Sequence, residues 1–207
     1  ETSPEIKSYT KTGDDDKALW SVSFRAGTEL MDVLGDNKAF DYTATDSETQ
    51  KKYVTGMTVY GSNNESVTFD GFASDLQITS RMAVTGTGSI LSALSAKTLT
   101  VKLVSYSKTD ADSNVLWSVQ FVDGQAFAGA LNEAKTGFKF GATVEGMTVY
   151  ADGEESITFG GYEQTIADMV TKRMPTSALL GALYDAYVDA ETSPEIKSYT
   201  KTGDDDK

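Results

Sequence analysis

The 207-residue chain contains no cysteine and no histidine. Without cysteine there is no disulfide, no thiolate nucleophile and no cysteine-bound metal. Without histidine the commonest general base, the Ser–His–Asp arrangement and the usual zinc, iron and haem ligands are also gone. Carboxylate chemistry of the glycosidase kind survives these losses. Nothing in the sequence, however, brings two carboxylates together in an apolar setting. The composition therefore points to a structural or binding protein, not an enzyme. No run approaches the roughly 18 apolar residues that signal a spanning helix. The best glycine cluster, Gly86 and Gly88 in TGTGS, lacks the following lysine and the spacing of a phosphate loop.

Positive charge is also scarce. Lys and Arg number 18 against 31 Asp and Glu, for a net charge of −13. A nucleic-acid backbone or an anionic membrane would be repelled by such a surface, so neither is expected as a partner. The balance favours solubility and leaves room for a cation. Asp110, Asp112 and Asn114 stand as D-x-D-x-N, the opening of a calcium-loop pattern. Alternate positions let three oxygen ligands converge in a curled loop. The Gly and the distal Glu of the full pattern are missing, so a solvated acidic turn is the simpler reading. No other cofactor is expected.

The chain is rich in repetition. Residues 191–207, ETSPEIKSYTKTGDDDK, repeat residues 1–17 letter for letter. A looser duplication covers the rest. Glu5–Phe24 and Lys102–Phe121 match at 10 of 20 positions. GMTVY occurs at Gly56–Tyr60 and again at Gly146–Tyr150, and ESVTFDGF at Glu65–Phe72 answers ESITFGGY at Glu155–Tyr162. Arg81–Met82 answers Arg173–Met174, and each pair is followed by a small-residue, Leu-rich stretch. The period is about 95 residues, which indicates duplicated domains or half-domains instead of a short-period solenoid. The expected organisation is a first repeat unit at 1–97, a second at 98–190, and the exact copy at 191–207 as a sheet-completing strand and tail.

Alternation predicts strands at Glu5–Thr10, Leu99–Tyr106, Leu19–Phe24, Leu116–Phe121, Val54–Tyr60, Val144–Tyr150, Val67–Phe69 and Ile157–Phe159. Trp20, Val22 and Phe24, matched by Trp117, Val119 and Phe121, form the core face. Burial of each large apolar side chain contributes roughly 1.5–3 kcal/mol. Helical spacing predicts helices at Thr28–Leu34, Gly124–Ala134, Thr165–Met174, Ser89–Ala96 and Ser177–Val188, the last two capped by Ser. The last is expected to bury Leu179, Leu180, Leu183, Tyr184 and Tyr187. Leu76–Val84 fits either strand or helix. The fold class is α+β, β-rich: two tandem homologous units with antiparallel strands and short helices, plus a C-terminal copy of the first strand.

The SYTKT segment recurs around Tyr9, Tyr106 (as SYSKT) and Tyr199. It opens the first unit, opens the second and follows the second. One strand thus begins a unit while closing the preceding one. If each unit has a sheet short of one strand, Glu195–Thr200 fills the second gap from within the chain. In a neighbour, Glu5–Thr10 would fill it instead, giving head-to-tail polymerisation by strand addition. The assembly residues are Ile6, Ser8, Tyr9 and Thr10, with their copies Ile196, Ser198, Tyr199 and Thr200. Such strand donation resembles the assembly logic of bacterial and archaeal surface filaments. The expected function is a structural, self-assembling subunit of an extracellular filament, surface layer or tube, with other copies of itself as partners. Two alternatives remain: a secreted or surface ligand-binding module using calcium, and a phage tail tube or other virion protein.

Overall fold

The computed structural model describes residues 3–14, 16–61, 64–76, 90–97, 99–135, 137–139 and 143–201. Nine strands form one antiparallel sheet in simple sequence order. They are β1 (Ser8–Thr12), β2 (Ala18–Phe24), β3 (Val54–Tyr60), β4 (Glu65–Phe69), β5 (Leu103–Thr109), β6 (Val115–Phe121), β7 (Val144–Tyr150), β8 (Glu155–Phe159) and β9 (Ile196–Lys201). Among the described residues four short helices accompany them: α1 (Ile90–Leu94), α2 (Phe127–Ala130), α3 (Gln164–Met169) and α4 (Thr176–Tyr187). The protein is therefore α+β and strand-rich. Its strands do not divide into two sheets.

The two halves of the sheet use matching registers. Trp20 pairs with Val59 and Trp117 with Val149, while Met57 pairs with Phe69 and Met147 with Phe159. The register shifts at the same place in both halves, at Ser23/Phe24 and at Gln120/Phe121. Gly56 and Gly146 lie opposite these irregularities. A Cβ on Gly56 would stand 3.0 Å from the Phe69 carbonyl oxygen, and one on Gly146 would stand 3.1 Å from that of Phe159. Glycine here permits close backbone approach.

The buried face carries Trp20, Val22 and Phe24 and their counterparts Trp117, Val119 and Phe121, as alternation predicts. Leu19 and Leu116, on the other face by alternation, are buried too. These residues join Met57, Val59, Val67, Phe69, Met147, Val149, Ile157 and Phe159 in one cluster spanning both halves.

Several element boundaries differ from the sequence expectation. β1 starts at Ser8, not Glu5, because the preceding residues pair elsewhere. Glu5 bridges to Glu29, and the Ile6 N–H donates to the Thr28 carbonyl at 2.9 Å. The same happens before β5, where Lys102 bridges to Ala126 and the Leu103 N–H donates to the Gln125 carbonyl at 2.7 Å. The helix expected at Thr28–Leu34 is a single 3-10 turn, Leu30–Val33. The one expected at Gly124–Ala134 is reduced to α2. Both stop because the next residue turns extended and makes a bridge, Leu34 to Phe40 and Leu131 to Phe138.

α3 ends at Met169. Beyond it the Asp152 N–H donates to the Met174 carbonyl and Arg173 Nε to the Val115 carbonyl, tying the chain to the sheet. α4 begins at Thr176 after Pro175, without a side-chain cap from Ser177. Of its expected core residues only Leu179 is buried; Leu183 and Tyr187 are partly covered, and Leu180 and Tyr184 are exposed. Gly86, Gly88, Arg81–Met82, Ser89, Asp15 and most of the Leu76–Val84 stretch lie outside the described residues.

Trp20→Ala should destabilise the protein by about 3–5 kcal/mol through loss of buried area and the cavity left behind. Urea denaturation followed by circular dichroism measures this directly.

Candidate functional site

The predicted assembly segments fall on the first and last strands of the sheet. Among the described strands, β1 is hydrogen-bonded only to β2, and β9 only to β8. Their diverged counterpart β5 lies mid-sheet and pairs on both sides. Toward β6, β5 matches Tyr106 with Val119 and Lys108 with Trp117. β1 repeats this on β2, matching Tyr9 with Val22 and Lys11 with Trp20. Toward β4, β5 matches Lys108 with Glu65, Tyr106 with Val67, and Leu103 with Phe69. β9 repeats this on β8, matching Lys201 with Glu155, Tyr199 with Ile157, and Ile196 with Phe159. Even the register shift coincides, at Thr68/Phe69 and Thr158/Phe159. Each copy thus makes one of the two ladders that β5 makes.

The side chains divide the same way. Tyr106 packs its ring on Trp117 and Phe138, with centroids 5.3 and 5.2 Å away. Its hydroxyl reaches back and donates to Glu65 Oε1. Tyr9 has the aromatic half of this arrangement, lying 5.8 Å from Trp20 and 4.8 Å from Phe40. Tyr199 has the acidic half, facing Glu155, the counterpart of Glu65. Burial follows. Leu103 and Tyr106 are 1 % and 3 % exposed, whereas Ile196 and Tyr199 are 63 % and 53 % exposed. Ile6 and Tyr9 are partly buried against the core. Ser8 and Thr10, and likewise Ser198 and Thr200, are exposed strand positions.

Glu65 and Glu155 are the polar centres of these junctions. The buried Glu65 accepts from the Ile90 N–H at 2.9 Å and from the Tyr106 hydroxyl, with Lys108 Nζ 3.9 Å away. Glu155 accepts from the Thr176 hydroxyl at the start of α4 and pairs with Lys201 Nζ at 2.9 Å. Its hydrogen bond to Lys201 holds the Glu155 carboxyl below the usual range, against the opposing effect of burial. Burial, then the Glu155 charge, pushes the Tyr199 hydroxyl up. Sequence reasoning missed both glutamates. The repeated ES-V/I-TF and SY-S/T-KT segments carried the signal, but pairing them requires the register.

The acidic turn is closed by its own hydrogen bonds. Asp110 Oδ1 accepts from the backbone N–H groups of Asp112 and Asn114 at 3.0 and 2.9 Å, and Oδ2 accepts from Asn114 Nδ2 at 3.1 Å. These bonds hold the Asp110 carboxyl below its usual range, with Asn114 the main cause. The spacing thus builds a self-bonded turn between β5 and β6. Among the described residues no group of three or more Asp, Glu, His or Cys converges to hold a metal. Asp110 also borders a cleft of about 390 Å³ walled by Tyr106, Trp117, Phe138 and Tyr162.

No helix among the described residues is long and apolar enough to cross a membrane. The architecture defines a class, a strand-rich α+β protein built on one antiparallel sheet. Comparison with protein-family models, curated proteins and solved structures finds no match.

The lowered Glu155 carboxyl has a consequence for β9. A carboxylate whose pKa is depressed by docking stabilises the docked strand above its ordinary range, and that contribution is lost as pH falls through the docked value. Hydrogen exchange at the Ser198 and Thr200 amides, corrected for intrinsic rates, should speed up on acidification through this range. Glu155→Gln should remove most of that pH dependence.

Proposed function

We propose that this protein is a duplicated, non-enzymatic structural subunit that polymerises head to tail by strand addition. It would build an extracellular filament, surface layer or tube. One observation carries the reading: β9, part of the exact copy of the segment that holds β1, sits on β8 in the register that β5 uses on β4. In this reading the two halves are repeats joined through the shared strand β5. The β8 edge is the slot for the next repeat, and β9 occupies that slot within its own molecule.

In a polymer, β1 of the following copy takes the slot. Its inner edge stays on its own β2, and its outer edge pairs with β8, as both edges of β5 are paired. The incoming Tyr9 and Lys11 then take the places of Tyr199 and Lys201 at Glu155. Each junction completes both ladders of one strand, which neither end of a single molecule does. Because donor and slot lie at opposite ends of the sheet, the contact is heterologous and propagates. Exposed strand edges are natural templates for such pairing. β1 is also the better anchored copy. The Gly27 N–H donates to Glu5 Oε1 at 3.1 Å, and Tyr9 is held among aromatic rings, while every residue of β9 is exposed. β9 is therefore the strand to be displaced.

A chain shortened at Ala190 should form ordered filaments or tubes visible by negative-stain electron microscopy. The peptide ETSPEIKSYTKTGDDDK, in excess, should cap the slot and suppress them. A shortened chain also lacking residues 1–12 should fail to polymerise in an ordered way. A shortened chain that remains a stable monomer at high concentration would sink the proposal.

A further inference from the structure

We infer that assembly also buries the outer face of α4, which docks the Leu30–Val33 turn of a second copy with Leu30 seated beside Phe159. This rests on the reading above and adds the side-chain surface that accompanies the strand.

The template is the contact across β5. There Phe127, at the start of α2, packs on Phe69 with ring centroids 5.9 Å apart. Phe127 is held to β5 through the Lys102–Ala126 bridge and the Leu103-to-Gln125 hydrogen bond. The Leu30 turn is held to β1 by the matching Glu5–Glu29 bridge and Ile6-to-Thr28 hydrogen bond. Leu30 thus stands to β1 as Phe127 stands to β5. On the receiving side, Phe159 stands to β9 as Phe69 stands to β5. A β1 strand entering the slot in that register carries Leu30 to Phe159.

A notch already exists at that place. It has a volume of about 210 Å³ and is walled by Phe159, Leu180, Leu183, Tyr184 and Ile196. In the first half of the sheet the corresponding apolar helix is covered, with Ile90, Leu91 and Leu94 all buried. In the second half Leu179 is buried but the outer face of α4 is bare: Leu180 is 50 % and Tyr184 66 % exposed, and Val188 just beyond is exposed too. The other end of the molecule presents Met31, also exposed, beside Leu30. Of the large exposed apolar side chains among the described residues, all but Val122 and Tyr199 belong to these two surfaces. Two apolar patches at opposite ends, positioned by the same strand register, fit a second copy of this chain as occupant.

The test uses the full chain with its own tail weakened. Ile196→Asp with Tyr199→Ala loosens β9 and leaves the donor strand β1 intact. Sedimentation velocity should show concentration-dependent oligomers of this parent variant. Adding Tyr184→Asp, or separately Leu30→Asp, should weaken self-association by roughly tenfold or more. Tyr184 is mostly exposed, so that substitution leaves folding intact, which circular dichroism verifies. A parent that assembles equally well with both substitutions overturns the docking inference and leaves strand addition standing. A parent that stays monomeric up to millimolar concentration overturns both.

Discussion

A β-strand has two edges, and each carries backbone groups that need partners. In β5 both edges are paired, and its inward side chains Leu103 and Tyr106 are sealed from both directions. Among the described strands β1 and β9 are each paired along one edge; Ile6 and Tyr9 are partly buried, and Ile196 and Tyr199 are largely exposed. The organisation of the sheet depends on this difference. A strand that opens one half while closing the other welds the two halves into a single ladder, so they have no separate sheets. The same requirement leaves an incomplete strand site at each end.

Side-chain chemistry reinforces the backbone pairing. A buried carboxylate is costly unless several donors satisfy it. Glu65 has the Ile90 amide, the Tyr106 hydroxyl and the nearby Lys108 ammonium. These come from a helix of the first half and from the shared strand. The carboxylate therefore ties the pairing of β5 to the placement of α1. Glu155 repeats the arrangement with Thr176, Tyr199 and Lys201. The aromatic half is contributed by the following segment, Trp117 and Phe138 around Tyr106, Trp20 and Phe40 around Tyr9. A tyrosine at this position links an apolar layer ahead to an acidic acceptor behind.

Much of the strand pattern was legible in the chain itself. Trp20, Val22 and Phe24 alternate cleanly, and their copies do the same, so the core face was readable from period two. The helices were less legible. Leu30, Val33 and Leu34 have helical spacing, yet Leu34 turns away to bridge Phe40. Leu180 and Tyr184 look like core residues, yet they lie exposed on the outer side of α4. The D-x-D-x-N spacing was legible, but not that Asp110 would accept from the Asp112 and Asn114 backbone and from the Asn114 side chain. Short-range pattern reports which residues prefer burial; it does not say whether a covering layer is present.

The sequence by itself determined the repeat, the identity of the terminal copies, the alternating strands and the absence of thiol and imidazole chemistry. These follow from residue identity and spacing alone. Only the tertiary structure decided that the strands form one sheet, that β9 docks on β8 in the register of β5, and that Glu155 meets Tyr199 and Lys201. Those facts depend on pairing residues tens of positions apart, and no local preference encodes which edge a strand will find. The identical segments that carry β1 and β9 make opposite ladders because each meets a different neighbour.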